Sequence, residues 1–143
     1  MTVATTPPPA EWARHSGVWI GFPSHDELWR LDLEPAREEV VAFARAVHAQ
    51  GKGEKVILVA ADIGAANAAR RIAPFADVVV EDFGDIWLRD TGPIMRTHTH
   101  GCDFDFNGWG WKYDLPGDDT IGDRLAKSQG IKTDYCNWVL EGG

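Results

Sequence analysis

KVILVAADIGAANAARRIAPFADVVVED, residues 55–82, decides the fold class. Its opening KVILVAA (55–61) carries the unbroken apolar character of a strand covered on both faces. Asp62 then stands where an N-cap belongs, ahead of an alanine-rich helix running to about Pro74. ADVVVED (76–82) makes the next strand. A strand, a crossover helix and a second strand define an α/β arrangement, in which polar loops at strand ends are the natural place for a site.

The same reading extends toward the N-terminus. GVWIGF (17–22) is short, aromatic and β-branched, a buried strand ending at Pro23 with Ser24, His25 and Asp26 as turn residues. From Pro35, the residues Ala36, Val40, Phe43, Ala44 and Val47 recur at helical spacing up to Gly51. Glu34, Glu38 and Glu39 lie near the positive end of that helix dipole. An amphipathic helix packed on a sheet follows. Residues 1–10, with Pro7, Pro8 and Pro9, predict a disordered or polyproline arm without a catalytic role, and residues 11–143 form the domain.

On the C-terminal side comes DIWLRDTG (85–92), followed by Pro93. Gly84, Gly92 and Pro93 punctuate it too heavily for an ordinary strand or helix interior. It sets Asp85, Arg89 and Asp90 beside Trp87 at a strand end. Such a loop is suited to a planar cation, because an ionised carboxylate accepts two parallel N–H bonds from a guanidinium and an indole face attracts positive charge. PIMRTHTH (93–100) and CDFDF (102–106), separated by Gly101, predict an antiparallel hairpin. FNGWGWKY (106–113) breaks regular structure with two glycines among aromatics. A helix from about Asp118 to Gln129 and a strand from about Tyr135 to Leu140 complete the pattern.

Composition narrows the function classes. With 143 residues, 44% of them apolar and 25% charged, the chain suits one soluble domain. Its 22 acidic against 14 basic side chains, net charge −8, argue against nucleic acid or an anionic membrane as partner. No basic leader and no apolar run of the ~20 residues needed to span a bilayer is present, which predicts a cytoplasmic location. In that compartment Cys102 and Cys136 are expected as reduced thiols. His98, His100 and Cys102 alternate along the hairpin; placement on its solvent side explains them without a metal.

Four segments carry a resemblance. PAEWARHSGVWIGFP (9–23), DIWLRDTGP (85–93), FNGWGWKY (106–113) and LEGG (140–143) resemble, in order and spacing, the first part of agmatine deiminases and their bacterial peptidylarginine-deiminase-like relatives. The resemblance implies a fold that is a partial α/β propeller of the pentein type, roughly the first two of five ββαβ-type modules. It implies agmatine hydrolysis to N-carbamoylputrescine and ammonia as parent activity, with protein-arginine or another guanidine as the alternative substrate, and no metal or organic cofactor. In such enzymes a Cys thiolate attacks the guanidinium carbon, a His moves protons, and Asp residues grip the nitrogens.

Carried over by position, Asp90 matches the gripping Asp of the RDTGP motif. Asp85 matches the acid preceding the Trp, and either lines the pocket or braces Arg89. Trp87 and Trp109 either wall the site or serve as core. Glu141 matches the Glu beside the catalytic His, where a carboxylate orients an imidazole. Trp111 stands where relatives usually have Gly, and Phe22 where Trp is more usual. Family members are more than twice as long, and the segments bearing their catalytic His and nucleophilic Cys have no match here. The expectation is an N-terminal part that is inactive alone, with a non-catalytic cation-binding module or an inactive truncated product as the competing readings. Unpaired strand edges and uncovered apolar faces further predict association, including a homo-oligomer.

Overall fold

The computed structural model describes residues 6–142. In chain order its elements are β1 (Val18–Gly21), α1 (Asp26–Trp29), α2 (Leu33–His48), β2 (Val56–Ala60), α3 (Ile63–Ile72), β3 (Asp77–Val80), α4 (Leu88–Thr91), β4 (Ile94–Thr97), β5 (His100–Asp105), α5 (Gly108–Trp111), α6 (Ile121–Ser128) and β6 (Lys132–Val139). Two three-stranded sheets result. The first is wholly parallel in the order β1-β2-β3. The second, β4-β5-β6, pairs β4 with β5 antiparallel and β5 with β6 parallel, α6 making the crossover.

β2 shows why the 55–82 stretch behaves as it does. Val56, Leu58 and Ala60 turn one way and join a core with Ile20 and Phe22, with Val41 and Ala44 of α2, and with Ala65, Ala66 and Ala69 of α3. Val59 and Ala61 turn the other way, onto Phe83, Ile121 and Leu125. Period-two alternation therefore buries both faces of one strand. Alanines let α3 lie close on the sheet, and the Asp62 carboxylate caps it by accepting from Ala65 N at 2.8 Å. Arg37 of α2 is almost buried, its Nε donating to Pro23 O at 2.9 Å and its guanidinium 5.3 Å from the centre of the Phe22 ring.

The layer that joins the two sheets is α6. Ile121 and Leu125 face the first sheet, whereas Gly122 faces the second so closely that a Cβ there would sit 2.3 Å from Asp103 Oδ1. Thr133 Oγ1 of β6 donates to Asp123 Oδ1 at 2.7 Å. An eight-residue helix thus carries contacts in both directions.

Several expectations shift in detail. The hairpin turn falls at His98 and Thr99 and not at Gly101, which lies inside β5 opposite Met95. The register slips between Met95 and Thr97, a bulge that leaves Arg96 only 9% exposed. With His98 in the turn, the three residues 98, 100 and 102 do not share one strand face. Asp26, expected as a turn residue, opens the short α1, and a 3₁₀ turn follows at Arg30–Asp32. β6 begins at Lys132, earlier than expected, and α6 begins at Ile121, later than expected. Of the arm, residues 1–5 lie outside the described residues; residues 6–10 are exposed, and Thr6 O accepts from Arg96 Nε at 2.8 Å.

The outer face of β6 leaves Tyr135, Trp138 and Val139 exposed, with the Trp138 ring 6.1 Å from that of Phe104. No helix among the described residues is long and apolar enough to cross a membrane.

Because Leu125 is fully buried between layers, Leu125→Ala should lower the unfolding free energy by about 2–5 kcal/mol in urea denaturation. Leu31→Ala, at a residue 96% exposed, should change it by less than about 0.5 kcal/mol.

Candidate functional site

The loop after β3 is fastened before it presents any side chain. Glu81 N still bonds Ala60 O at 3.0 Å, extending the sheet. Arg124 of α6 reaches Glu81 Oε2 at 3.1 Å and Gly117 O at 3.1 Å, and also donates to Asp82 O. Phe83 is buried as a plug. Its carbonyl lies 2.6 Å from His25 Nε2, and since a carbonyl only accepts, that nitrogen carries the imidazole proton. Asp118, 3% exposed, then takes Gly84 N at 2.7 Å and Asp85 N at 3.2 Å on one oxygen. Burial pushes the Asp118 carboxyl above its ordinary range, with the two amide bonds opposing. Ile86 crosses the end of β1 so tightly that a Cβ on Gly21 would lie 2.6 Å from Ile86 O, which makes Gly21 obligatory there.

Beyond this anchor the chain makes the single helical turn α4. Trp87 O accepts from Asp90 N at 2.9 Å, Thr91 N at 3.1 Å and Thr91 Oγ1 at 3.2 Å. Gly92 N closes the turn on Leu88 O at 2.8 Å, and Pro93 prevents its continuation. Asp85 is committed inside the loop, one oxygen accepting from Ile86 N at 2.7 Å and the other from Trp87 Nε1 at 3.0 Å. Its carboxylate therefore braces Trp87 and not Arg89. Arg89 bonds Gly142 O at 3.0 Å through Nε and pairs with Glu11. Trp87 is 53% exposed, its nitrogen turned to Asp85 and its ring open.

Asp90 differs from Glu81 and Asp85 of the same loop. It is half-buried, and its carboxylate has no hydrogen-bond or ion-pair partner among the described residues. Glu141 is exposed on the segment after β6, where Leu140 N bonds Asp105 O at 3.3 Å. The following residue is the Gly142 held by Arg89, so Glu141 runs beside α4. Trp109 belongs to the neighbouring loop, edge-on to Phe106 at 4.9 Å and to Tyr113 at 6.0 Å. Although α5 is helical by hydrogen bonding, Trp109 and Gly110 have φ of +55° and +74°. Asn107 Oδ1 closes this loop by accepting from Gly110 N at 2.9 Å. Trp111 is 75% exposed at φ +65°, a conformation that glycine adopts more readily.

Neither thiol is placed as an activated nucleophile. Burial and the adjacent Cys102 push the Cys136 thiol up, and Cys102 Sγ accepts a long contact of 3.9 Å from Arg96 Nη1. What the arrangement offers is the half-buried, uncommitted carboxylate of Asp90, an oriented indole and a firmly held backbone, which suits a cation and supplies no covalent chemistry. Asp118, His25, Arg124 and Gly21 are positioning residues that the sequence reading missed. Their contacts with the loop span 33 to 58 residues for Asp118 and His25, and no local pattern marks them.

Two small α/β sheets with an acid- and aromatic-bearing loop at a strand end define the class. The family follows: the chain belongs to the Porphyromonas-type peptidyl-arginine deiminases, whose family model matches residues 8–143. It is 34% identical over 163 aligned residues to the agmatine deiminase of Ectopseudomonas mendocina, which covers 100% of this chain and 43% of that protein. With the agmatine deiminase of Pseudomonas fluorescens it shares 33% over 151 residues, 94% of this chain and 39% of the other. The fold is similar to that of C. jejuni agmatine deiminase with substrate bound, with TM-score 0.81 and 24% identity over 95% of this chain and 41% of that one. The chain thus spans about two-fifths of the length of the relatives it matches.

One titration beneath the site is testable. Burial first, then Asp123 and Asp105, raise the Asp103 carboxyl from 3.8 to about 6, with Lys127 opposing. The unfolded chain therefore loses this proton at lower pH than the folded one, so the group's contribution is most favourable below about pH 4 and is lost as pH rises through about 6. Asp103→Asn should gain stability relative to the parent chain across that window, read as a rising difference in urea midpoints. A constant difference would remove Asp103 as the titrating group.

Proposed function

We propose that this chain forms the guanidinium-gripping part of an agmatine deiminase site. The observation that carries the reading is the partnerless, half-buried carboxylate of Asp90, held on a turn in which the amides of Leu88, Asp90, Thr91 and Gly92 are engaged. Asp90 accepts two N–H groups of the guanidinium, and the charge-assisted bonds fix the plane and position of the carbon to be attacked. Trp87, oriented by Asp85, walls one side, and Trp109 borders the pocket from the next loop. Glu141 orients the imidazole that the reaction requires. The parent reaction is agmatine plus water to N-carbamoylputrescine plus ammonia, the relatives' printed names being its main support.

The same reading extends to architecture and setting. β4, β5, α6 and β6 have the ββαβ order of one propeller module, so the two sheets correspond to roughly the first two of five modules. The exposed Tyr135, Trp138 and Val139 on edge strand β6 are the surface through which copies would associate. The protein works in the cytoplasm on a small soluble guanidine, without a metal or organic cofactor. Peptidyl-arginine stands as the second substrate reading because the matching family model carries that name.

Calorimetric titration with agmatine tests the assignment. Asp90→Asn, which keeps the shape and removes the charge, should weaken binding by at least about tenfold, the equivalent of 1.4 kcal/mol. Equal affinity would remove Asp90 from the grip. Because no thiolate and imidazole pair faces this loop among the described residues, the 143-residue chain alone should release no ammonia from agmatine or from an arginine-containing peptide; turnover by it would show that a nucleophile has been overlooked.

A further inference from the structure

A cleft lies at the other end of the parallel strands, by Gly17 before β1 and Lys55 before β2, bounded across by the β4–β5 turn. Its volume is about 500 Å³, within the range of small-molecule sites. In a chain of net charge −8, its lining includes Arg14, His15, Lys55, Arg96 and His98 and no acidic residue among the described ones. The guanidine site and this cleft are thus opposed in both position and charge.

Some of this positive charge is answered from behind. Lys55 pairs with Asp77 at 2.8 Å, His15 with Glu54 at 2.9 Å, and Arg96 Nη1 with Asp134 at 3.4 Å. Two donors stay unanswered among the described residues. Arg14 is exposed and pairs with nothing, and Arg96 uses Nε and Nη1 but not Nη2. Trp19 lines the cleft with its ring, its shielded Nε1 turned away from solvent. One oxyanion would serve both guanidinium groups, since a guanidinium fork binds planar carboxylate or phosphate oxygens.

We propose that this cleft binds a small organic anion through a carboxylate or phosphate group, with Arg14 and Arg96 as its donors. It does so independently of the guanidine loop, from which the length of β1 separates it.

The test titrates the 143-residue chain separately with succinate and with inorganic phosphate at fixed salt near 0.15 M, by calorimetry and tryptophan fluorescence. At least one of them should saturate, and which one does so identifies the chemistry as carboxylate or phosphate. Arg14→Ala, on an exposed side chain, should weaken binding by at least about tenfold. Arg71→Ala, which removes the same charge from the outer face of α3, should leave it as in the parent chain. Failure of both anions to saturate below about 10 mM, or equal loss in the Arg14 and Arg71 variants, would overturn the proposal.

Discussion

The carboxylate of Asp118, fixed at the entrance to α6, accepts from the amides of Gly84 and Asp85 and so holds the one loop on which the candidate site rests. Two buried amides at the start of an irregular segment would otherwise be left unpaired, at about 1–3 kcal/mol each. The arrangement is strained electrostatically, because burial raises the very carboxyl that must serve as acceptor. Arg124, one helical layer along, adds carbonyl contacts on the same segment. With both in place, Ile86 can be pressed against Gly21, and the turn of α4 begins from a fixed point.

This explains the division of labour among acids that look alike in sequence. Asp85 and Asp90 lie five positions apart in one loop, yet the first is consumed by Ile86 N and the indole of Trp87 while the second bonds nothing among the described residues. In the proposed site a carboxylate spent on orienting a wall and a carboxylate left open for a ligand would be complementary parts. Arg89 is held by Glu11 and Gly142, which ties the segment bearing Glu141 to the same turn.

How much of this was legible in the sequence follows from the range of each interaction. The strands and helices of residues 17–82 were readable because apolar periodicity and the Asp62 cap are local signals. Gly101 misled, because a glycine between two alternating runs suggests a turn, whereas here it lies inside β5 where a Cβ would sit 3.2 Å from Ile94 O. The loop itself was visible as a cluster of acids and aromatics, and the ordered motifs connected it to a family. Which acid was free was not visible. That depends on Asp118, His25 and Arg124, brought in by the tertiary packing of α6 and β1 over separations that no window on the sequence spans.

The central claim is that the α4 turn recognises a guanidinium and not merely positive charge. Its most direct test is an amide and indole correlation NMR spectrum of the chain titrated with agmatine and, in parallel, with putrescine, which keeps the amine and lacks the guanidine. The account predicts that agmatine shifts the Trp87 indole N–H and the Asp90 amide while putrescine at equal concentration leaves them in place. Equal shifts with both, or agmatine shifts confined to other parts of the chain, would contradict it.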